Sequence, residues 1–327
     1  MSGVHLTPGQ VARHTPRAAG AQGRDAALVD IAQDLLLRDL HEQGLLDELA
    51  FKGGTALRKL YAGNQGRFSF DLDFSVATIG ADADDFLELL ALRVDGLRIG
   101  PFTYGITERR GKRHLQMNSS AFGGSDSLTS KLDVSPPPWL TPRRRGWVPM
   151  PVHAAYGDPP LPELQVVPLE ENLAEKIARL NRTTPARDMY DLRWVNDALM
   201  RAGHLDAALV RRLAVLKIWV DNHGLIAVAP AGQTEWKPGH EGSIFDVNRW
   251  LRRRSSDEFD IEDIGALAVP PPSLPDLADA VSSGYQFLAD LTDEEQQLAR
   301  CRGQDRPIAL ALLRELPDNQ FRDAALR

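Results

Sequence analysis

The stretch SFDLDFSV, residues 69–76, alternates at period two, which predicts a strand with Asp71 and Asp73 on one face and Phe70, Leu72 and Phe74 on the other. This feature constrains the fold most, because an unpaired carboxylate near a core is among the most expensive groups to bury. Asp is a poor strand former, and two like charges on one face repel. An amphipathic strand with its polar side in water produces the same spacing. The alternative is a shared cation: residues two apart on a strand have Cα atoms about 6.5 Å apart, close enough for both carboxylates to meet one ion. Mg²⁺ suits such a pair, since it is held by one or two carboxylates together with phosphates and waters. A two-metal site needs a further bridging carboxylate, with ions about 3.5–4 Å apart. Asp133 in SKLDVS is the candidate, with Leu132 and Val134 facing the core.

The aspartates follow KGGTALRKLY, where Gly53-Gly54 predicts a tight turn that opens a helix. Backbone N–H groups at such a turn can receive a phosphate, and glycines let it approach without a Cβ in the way. Thr55 can cap the helix or donate its hydroxyl to a phosphate oxygen, and the two uses compete. An ordinary tight turn gives the same three residues.

Composition narrows the function classes. A formal net charge of −7 over 327 residues argues against non-specific coating of nucleic acid, though a local basic face remains compatible. Cys301 is the single cysteine, so an intrachain disulfide framework and a cysteine zinc site are excluded. No run approaches the roughly 20 apolar residues of a membrane span, and the first residues carry no apolar core resembling a signal peptide. The expected location is the cytoplasm, with no membrane partner.

Residues 1–24 lack periodicity and are expected to form a mobile arm. From Ala27 the spacing predicts a helix, then a short strand at LAFK, the Gly-Gly turn, a helix, and the strand at 69–76. ADADDFLELLALRVDGL reads as an acidic-capped helix, PFTYGITERRGKRHLQMNSSAF as two strands around a basic hairpin, and SLTSKLDVS as another strand. PPPWLTPRRRGWVPMP reads as an irregular basic connection because proline removes backbone donors. After a short LQVVPL strand the pattern turns helical, with VAPAGQTEWKPGHEG and ALAVPPPSLPDL as loops. The predicted fold is α+β: a mixed sheet flanked by helices over 25–168, then a mainly helical domain over 169–327.

Together, KGGTALRKLY, RFSFDLDFSV, KLDVS and ENLAEKIARLNRTTPARDMYDLRWV resemble the AbiEii/AbiGii-type nucleotidyltransferase toxins, which include the MenT toxins. The resemblance spans roughly residues 28 to 200 and departs from the common pattern at Phe70, where relatives often carry an acidic residue. It implies a polymerase-β-like nucleotidyltransferase core followed by a helical domain. It also implies transfer of a nucleoside monophosphate from an NTP with release of pyrophosphate. Some members modify the acceptor end of tRNA and block translation, under control of a cognate antitoxin protein.

On that resemblance, Asp71, Asp73 and Asp133 are the metal ligands, and Gly53, Gly54, Thr55 and Ser69 lie at the nucleotide. Asp133 could instead polarise the attacking hydroxyl, directly or through the metal. Lys176, in the E-K position of AEKIARL, would meet the phosphates; an ordinary solvated helix lysine is the plain alternative. Asp188 and Asp191 share a helix face at i and i+3. They either form a surface ion-pair network at a helix start or orient Lys176 or a nucleotide-binding group. ERRGKRH and PRRRGW could carry the acceptor's phosphates, with Trp139, Trp147 or Tyr156 stacking on an unpaired base. LRRRSS at 251–256 reads as a helix end whose cations offset the dipole. Two other functions fit the same residues: a nucleotidyltransferase that modifies a small molecule or a protein, and a catalytically silent member that binds RNA or a partner.

Overall fold

The computed structural model describes residues 3–119, 121–122, 128–224, 244–252 and 255–324. The chain falls into two compact units. A sheet unit comprises residues 1–137, 142–167 and 265–271; a helical unit comprises 138–141, 168–264 and 272–327. The expected single boundary at 168/169 therefore differs in three places: residues 138–141 and Pro168 belong to the helical unit and residues 265–271 to the sheet unit. Phe68 N donates to Ala266 O at 2.9 Å, which ties the second segment in place. The expected loop VAPAGQTEWKPGHEG lies outside the described residues, as do residues 253–254 of LRRRSS.

The sheet unit contains α1 (Pro8–His14), α2 (Gly23–Glu42), α3 (Gly53–Leu57) and α4 (Ala83–Val94) around an eight-stranded sheet. Its strands are β1 (Leu49–Lys52), β2 (Leu72–Val76), β3 (Arg98–Ile99), β4 (Phe102–Arg109), β5 (Lys112–Asn118), β6 (Leu128–Ser135), β7 (Arg143–Arg145) and β8 (Leu164–Val166). They run in the order β3-β4-β5-β6-β2-β1-β8-β7, with β2 parallel to β6, β1 parallel to β8 and the other pairs antiparallel. β2 is thus interior. Leu72, Phe74 and Val76 are buried in the core cluster to which Ile31, Leu35 and Leu36 of α2 also belong, while Asp73 projects from the opposite face. The strand is shorter than its sequence pattern: Asp71 immediately precedes it, and Phe70 is exposed rather than stacked with Leu72 and Phe74.

Two other expectations are corrected. The segment 1–24 is not a free arm, because Val11 of α1 is buried in the core and His14 meets Asp30 of α2. Thr7-Pro-Gly-Gln10 forms a reciprocal cap at its start: Thr7 N donates to Gln10 Oε1 at 2.7 Å and Gln10 N to Thr7 Oγ1 at 3.3 Å. PRRRGW is not wholly irregular either, since residues 143–145 pair with β8. Pro142 precedes a sheet-edge strand, where a missing donor is tolerated.

The helical unit is built on α5 (Leu169–Arg182), α6 (Ala186–Val195), α7 (Ala207–His223), α8 (Val247–Leu251), α9 (Leu274–Gly284), α10 (Asp293–Ala299) and α11 (Arg306–Arg314). Buried Glu171 of α5 accepts the backbone N–H groups of Trp139 and Leu140, each at 2.9 Å, and Lys217 Nζ of α7 at 2.6 Å. This explains why residues 138–141 join this unit. It also removes Trp139 as a base-stacking platform, because the ring is buried with Lys217 Nζ 4.1 Å from its centroid.

Candidate active site

β1 ends at Lys52, and the chain turns through Gly53 at φ +79° into α3. Two constraints require glycine there. The φ lies in the left-handed region, and a Cβ would sit 2.6 Å from Asp73 Oδ2. Gly54 is equally crowded: a Cβ would press on the guanidinium of Arg67 and lie 3.0 Å from Ser69 Oγ. The residues that sequence places together therefore meet in the sheet unit, with Asp73 against Gly53 and Ser69 against Gly54. Thr55 departs from expectation. It is fully buried and its hydroxyl donates to the Asp71 carbonyl, so it neither caps α3 nor faces a ligand but ties the turn to the aspartate strand.

Asp73 lies opposite Lys52 of β1 on one side and Asp133 of β6 on the other. Burial pushes the Asp73 carboxyl above its ordinary value, and the charges of Asp71 and Asp133 push it further. Lys52 and Lys131 pull it back only in part. A buried carboxylate with two further carboxylates beside it and only two lysines to offset them sits in surplus negative charge, the condition under which a cation is drawn in.

Of the expected metal trio, Asp71 and Asp73 are of the hard oxygen chemistry that would suit Mg²⁺ alongside phosphates and waters, and Asp73 lies beside a turn that a Cβ would fill. Asp133 is in register, but Lys131 Nζ holds its carboxylate at 2.5 Å. Among the described residues, no group of three Asp, Glu, His or Cys side chains converges as metal ligands would. The donor chemistry of Asp71 and Asp73 would fit a two-carboxylate hold, with Asp133 beside them in ion-pair contact with Lys131.

Beneath the turn lies a second, fully buried ionic cluster. Arg58 grips Asp30 of α2 with Nε at 3.0 Å and Nη2 at 2.9 Å, while Lys59 Nζ bridges Asp30 at 2.9 Å and Asp34 at 2.5 Å. His14 Nε2 adds 2.8 Å to Asp30, and Tyr156 donates its hydroxyl to Asp34 at 2.7 Å. Tyr156 is therefore spent on a core carboxylate and does not stack on a base. Burial alone would raise Asp30, but Arg58, Lys59 and His14 overcome it and hold its carboxyl well below the usual range. Arg58 also donates to Gly63 O and Gly66 O and lies 3.6 Å from the Phe68 ring centroid. It thereby fixes the segment that delivers Arg67 and Ser69 to Gly54.

In the helical unit, Lys176 of α5 is buried between two carboxylates of α6, 3.0 Å from Asp188 Oδ1 and 2.8 Å from Asp191 Oδ2. Arg179 reaches Asp188 Oδ2 at 3.4 Å. Lys176 is therefore not a solvated helix lysine. Its ammonium is engaged inside its own unit, and Asp188 and Asp191 are the groups that orient it.

Sequence reasoning missed three cations of the sheet unit: Lys52, Arg67 and Lys131. Each carried a signal. Lys52 directly precedes the Gly-Gly turn, Arg67 opens the RFSFD run, and Lys131 shares a strand face with Asp133 at i and i+2. The exposed ERRGKRH hairpin joins β4 and β5, with Arg110 at φ 53° and Gly111 at φ 70° forming its tip. Arg143–Arg145 are exposed on β7.

The comparisons with known proteins agree with this geometry. Residues 34–325 match the family described as "Nucleotidyl transferase AbiEii toxin, Type IV TA system". Among solved structures the chain is similar to MenT4, a nucleotidyltransferase toxin from Mycobacterium tuberculosis H37Rv, at 34% identity and a TM-score of 0.80. That match covers 95% of this chain and 99% of the other. A second similarity, to JHP933 from Helicobacter pylori, has 15% identity and a TM-score of 0.40 over 81% of this chain and 96% of that one, and nothing further rests on it. No curated protein matches. A match over this length, on the segments that build the Gly-Gly turn, the aspartate strand and the Lys176 helix, places the chain in the AbiEii family of nucleotidyltransferase toxins of type IV toxin–antitoxin systems.

Proposed function

We propose that this nucleotidyltransferase moves a nucleoside monophosphate from an NTP to an RNA acceptor, the 3′ end of tRNA, and so blocks translation in the cytoplasm. The observation that carries the reaction is the closeness of Gly53 to Asp73: a turn stripped of side chains, which phosphates can approach without a Cβ in the way, set directly against a carboxylate. Asp71 and Asp73 would hold Mg²⁺, which when bound neutralises phosphate charge. The chain's own residues do the rest. Gly53 and Gly54 admit the phosphates to the backbone, and Lys52 and Arg67 offset charge on the departing pyrophosphate. The acceptor hydroxyl oxygen attacks the α-phosphorus, the bond to pyrophosphate breaks, and the hydroxyl proton passes to Asp133, whose carboxylate Lys131 steadies.

The RNA acceptor is supported by exposed basic segments in a chain of net charge −7: the β4–β5 hairpin and residues 143–145. Membership of a toxin–antitoxin family supports a cognate antitoxin protein as partner. Incubation with each labelled NTP, Mg²⁺ and total RNA tests the reading. Label in the tRNA fraction that chelation by EDTA abolishes is the expected result. Label confined to protein or to a small metabolite overturns the RNA acceptor. Expression of the wild type should arrest growth, and Asp73→Asn should not.

A further inference from the structure

A cavity of about 890 Å³ opens in the sheet unit beside α1, distinct from the Gly-Gly turn. Arg13, His14 and Arg17 line one side, Asn64 and Phe68 another, and Ala154 lies on the turn that follows Pro151. Its charge is one-sided: no acidic side chain lines it among the described residues. His14 is already committed to Asp30, but Arg13 and Arg17 are exposed and have no carboxylate within ion-pair distance among the described residues. Such a pocket in a chain of net charge −7 selects an anion.

Its size and walls select the kind of anion. Pockets for single small ligands run about 300–1,000 Å³, so this one takes a nucleotide or two rather than a duplex. The apolar lining of Pro16, Val152 and Phe68 suits a base and sugar, while the two guanidinium groups suit phosphate. Phe68 is held rigidly, under Arg58 at 3.6 Å and edge-on to His14 at 5.5 Å. Its chain neighbours Arg67 and Ser69 are the groups packed on Gly54. An occupant of the cavity therefore abuts the same short segment that forms the nucleotide turn.

We infer that this cavity is a binding site for a phosphate-bearing nucleotide segment, the single-stranded acceptor RNA, with Arg13 and Arg17 on its backbone phosphates. The choice of RNA rests on the function proposed above; a free nucleotide carries the same chemistry and is separated by the test.

The test reads binding without turnover, by fluorescence anisotropy of a labelled single-stranded RNA of about 12 nucleotides with the full chain, free of NTP and Mg²⁺. Salt is varied between about 50 and 200 mM. Arg13→Ala/Arg17→Ala should weaken binding about tenfold and lower the slope of log affinity against log salt by about 1.4, two phosphate contacts at about 0.7 each. Ala154→Trp, which fills the cavity without changing charge, should also weaken binding. Arg93→Ala/Arg98→Ala, an equal loss of exposed charge elsewhere in the sheet unit, should not. All four altered arginines are exposed, and melting curves check that each variant folds.

An arginine pair that loses no more than the control, or an unaffected Ala154→Trp, overturns the site. If the arginine pair loses affinity for free NTP while keeping it for RNA, the RNA assignment is overturned in favour of a mononucleotide. RNA labelling separates this inference from the proposed function. Wild-type labelling with an unchanged KM for RNA in the arginine variant sinks the site alone. No labelling, with the anisotropy losses intact, sinks the acceptor reading alone.

Discussion

The sheet unit holds two pairs of aspartates in opposite electrostatic conditions. Asp30 and Asp34, one turn apart on α2, are wholly buried and face two full cations, Arg58 and Lys59, with His14 and Tyr156 completing their hydrogen bonds. Asp71 and Asp73, two apart at the start of β2, are half-buried and joined by a third carboxylate, Asp133, against Lys52 and Lys131. The first pair has its charge cancelled by the protein; the second keeps a surplus. Both sit within one stretch of chain, since Gly53 and Gly54 touch the second pair's neighbourhood while Arg58 and Lys59, a single turn later, neutralise the first. The difference teaches that the fold cancels the charge of one pair with its own cations and leaves a surplus at the other, the charge that the proposed triphosphate–cation complex would close.

Exchanging the conditions of the two pairs breaks the comparison. The largest effect is expected from Asp73→Asn, which removes surplus charge where phosphoryl transfer needs a neutralising cation. Its rate in the labelling assay should fall by on the order of 10⁴-fold, about 5.5 kcal/mol, with the melting temperature kept or raised. Loss of folding instead would mean that Asp73 belongs with Asp30, as a structural group.

Arg58→Ala comes next. It strands Asp30 as a buried charge lacking its bidentate partner, and frees Gly63 O and Gly66 O. The expected loss is about 3–5 kcal/mol in urea unfolding. An unfolding curve matching the wild type would show that the cluster does not hold the turn. Gly53→Ala follows, with about 1–2 kcal/mol from the left-handed φ and a further loss of activity as the new methyl displaces Asp73. Activity should fall more than stability if Asp73, the displaced group, holds the cation as proposed.

The legibility of these features in the sequence follows from how local each one is. Period-two alternation reveals β2, and the order of elements reveals a mixed sheet before helices, because both depend on near neighbours. The cap at Thr7-Pro-Gly-Gln10 is equally local, but the surrounding Gly, Ala and Pro mask a seven-residue helix and give the segment the pattern of a loose arm. Asp30 and Asp34 were illegible for a different reason. Their partners lie 28 and 25 residues away, and α2 reads as an ordinary amphipathic helix although Asp30, Gln33, Asp34 and Arg38 are all buried. Thr55 could be assigned a hydroxyl role but not an acceptor, because only the fold brings the Asp71 carbonyl to it. Within the helical unit, the i, i+3 spacing of Asp188 and Asp191 predicted a shared face, and the packing of α5 on α6 supplied Lys176.

The smallest expected effect is the sharpest, because it distinguishes the two pairs by sign. Asp30 has its folded pKa held far below the ordinary value of 3.8. Its contribution to stability is fully present above 3.8 and is lost as pH falls towards the folded value. Asp30→Asn should therefore be less stable than the wild type at pH 7, and the gap should close only in strong acid. Asp73 has its folded pKa raised, so between 3.8 and that raised value the folded state binds a proton the unfolded chain has released. Its contribution is unfavourable at neutral pH and is relieved on acidification. Asp73→Asn should melt higher than the wild type at pH 7, by about 1–2 °C for a change of about 1 kcal/mol in a chain of 327 residues. That advantage should shrink as pH falls through the raised value towards 3.8. Melting curves of the two variants from pH 7 down to acid should thus displace from the wild type in opposite directions. Displacement in the same direction would mean that the surplus at Asp73 is already cancelled within the fold, and that no cation is needed there.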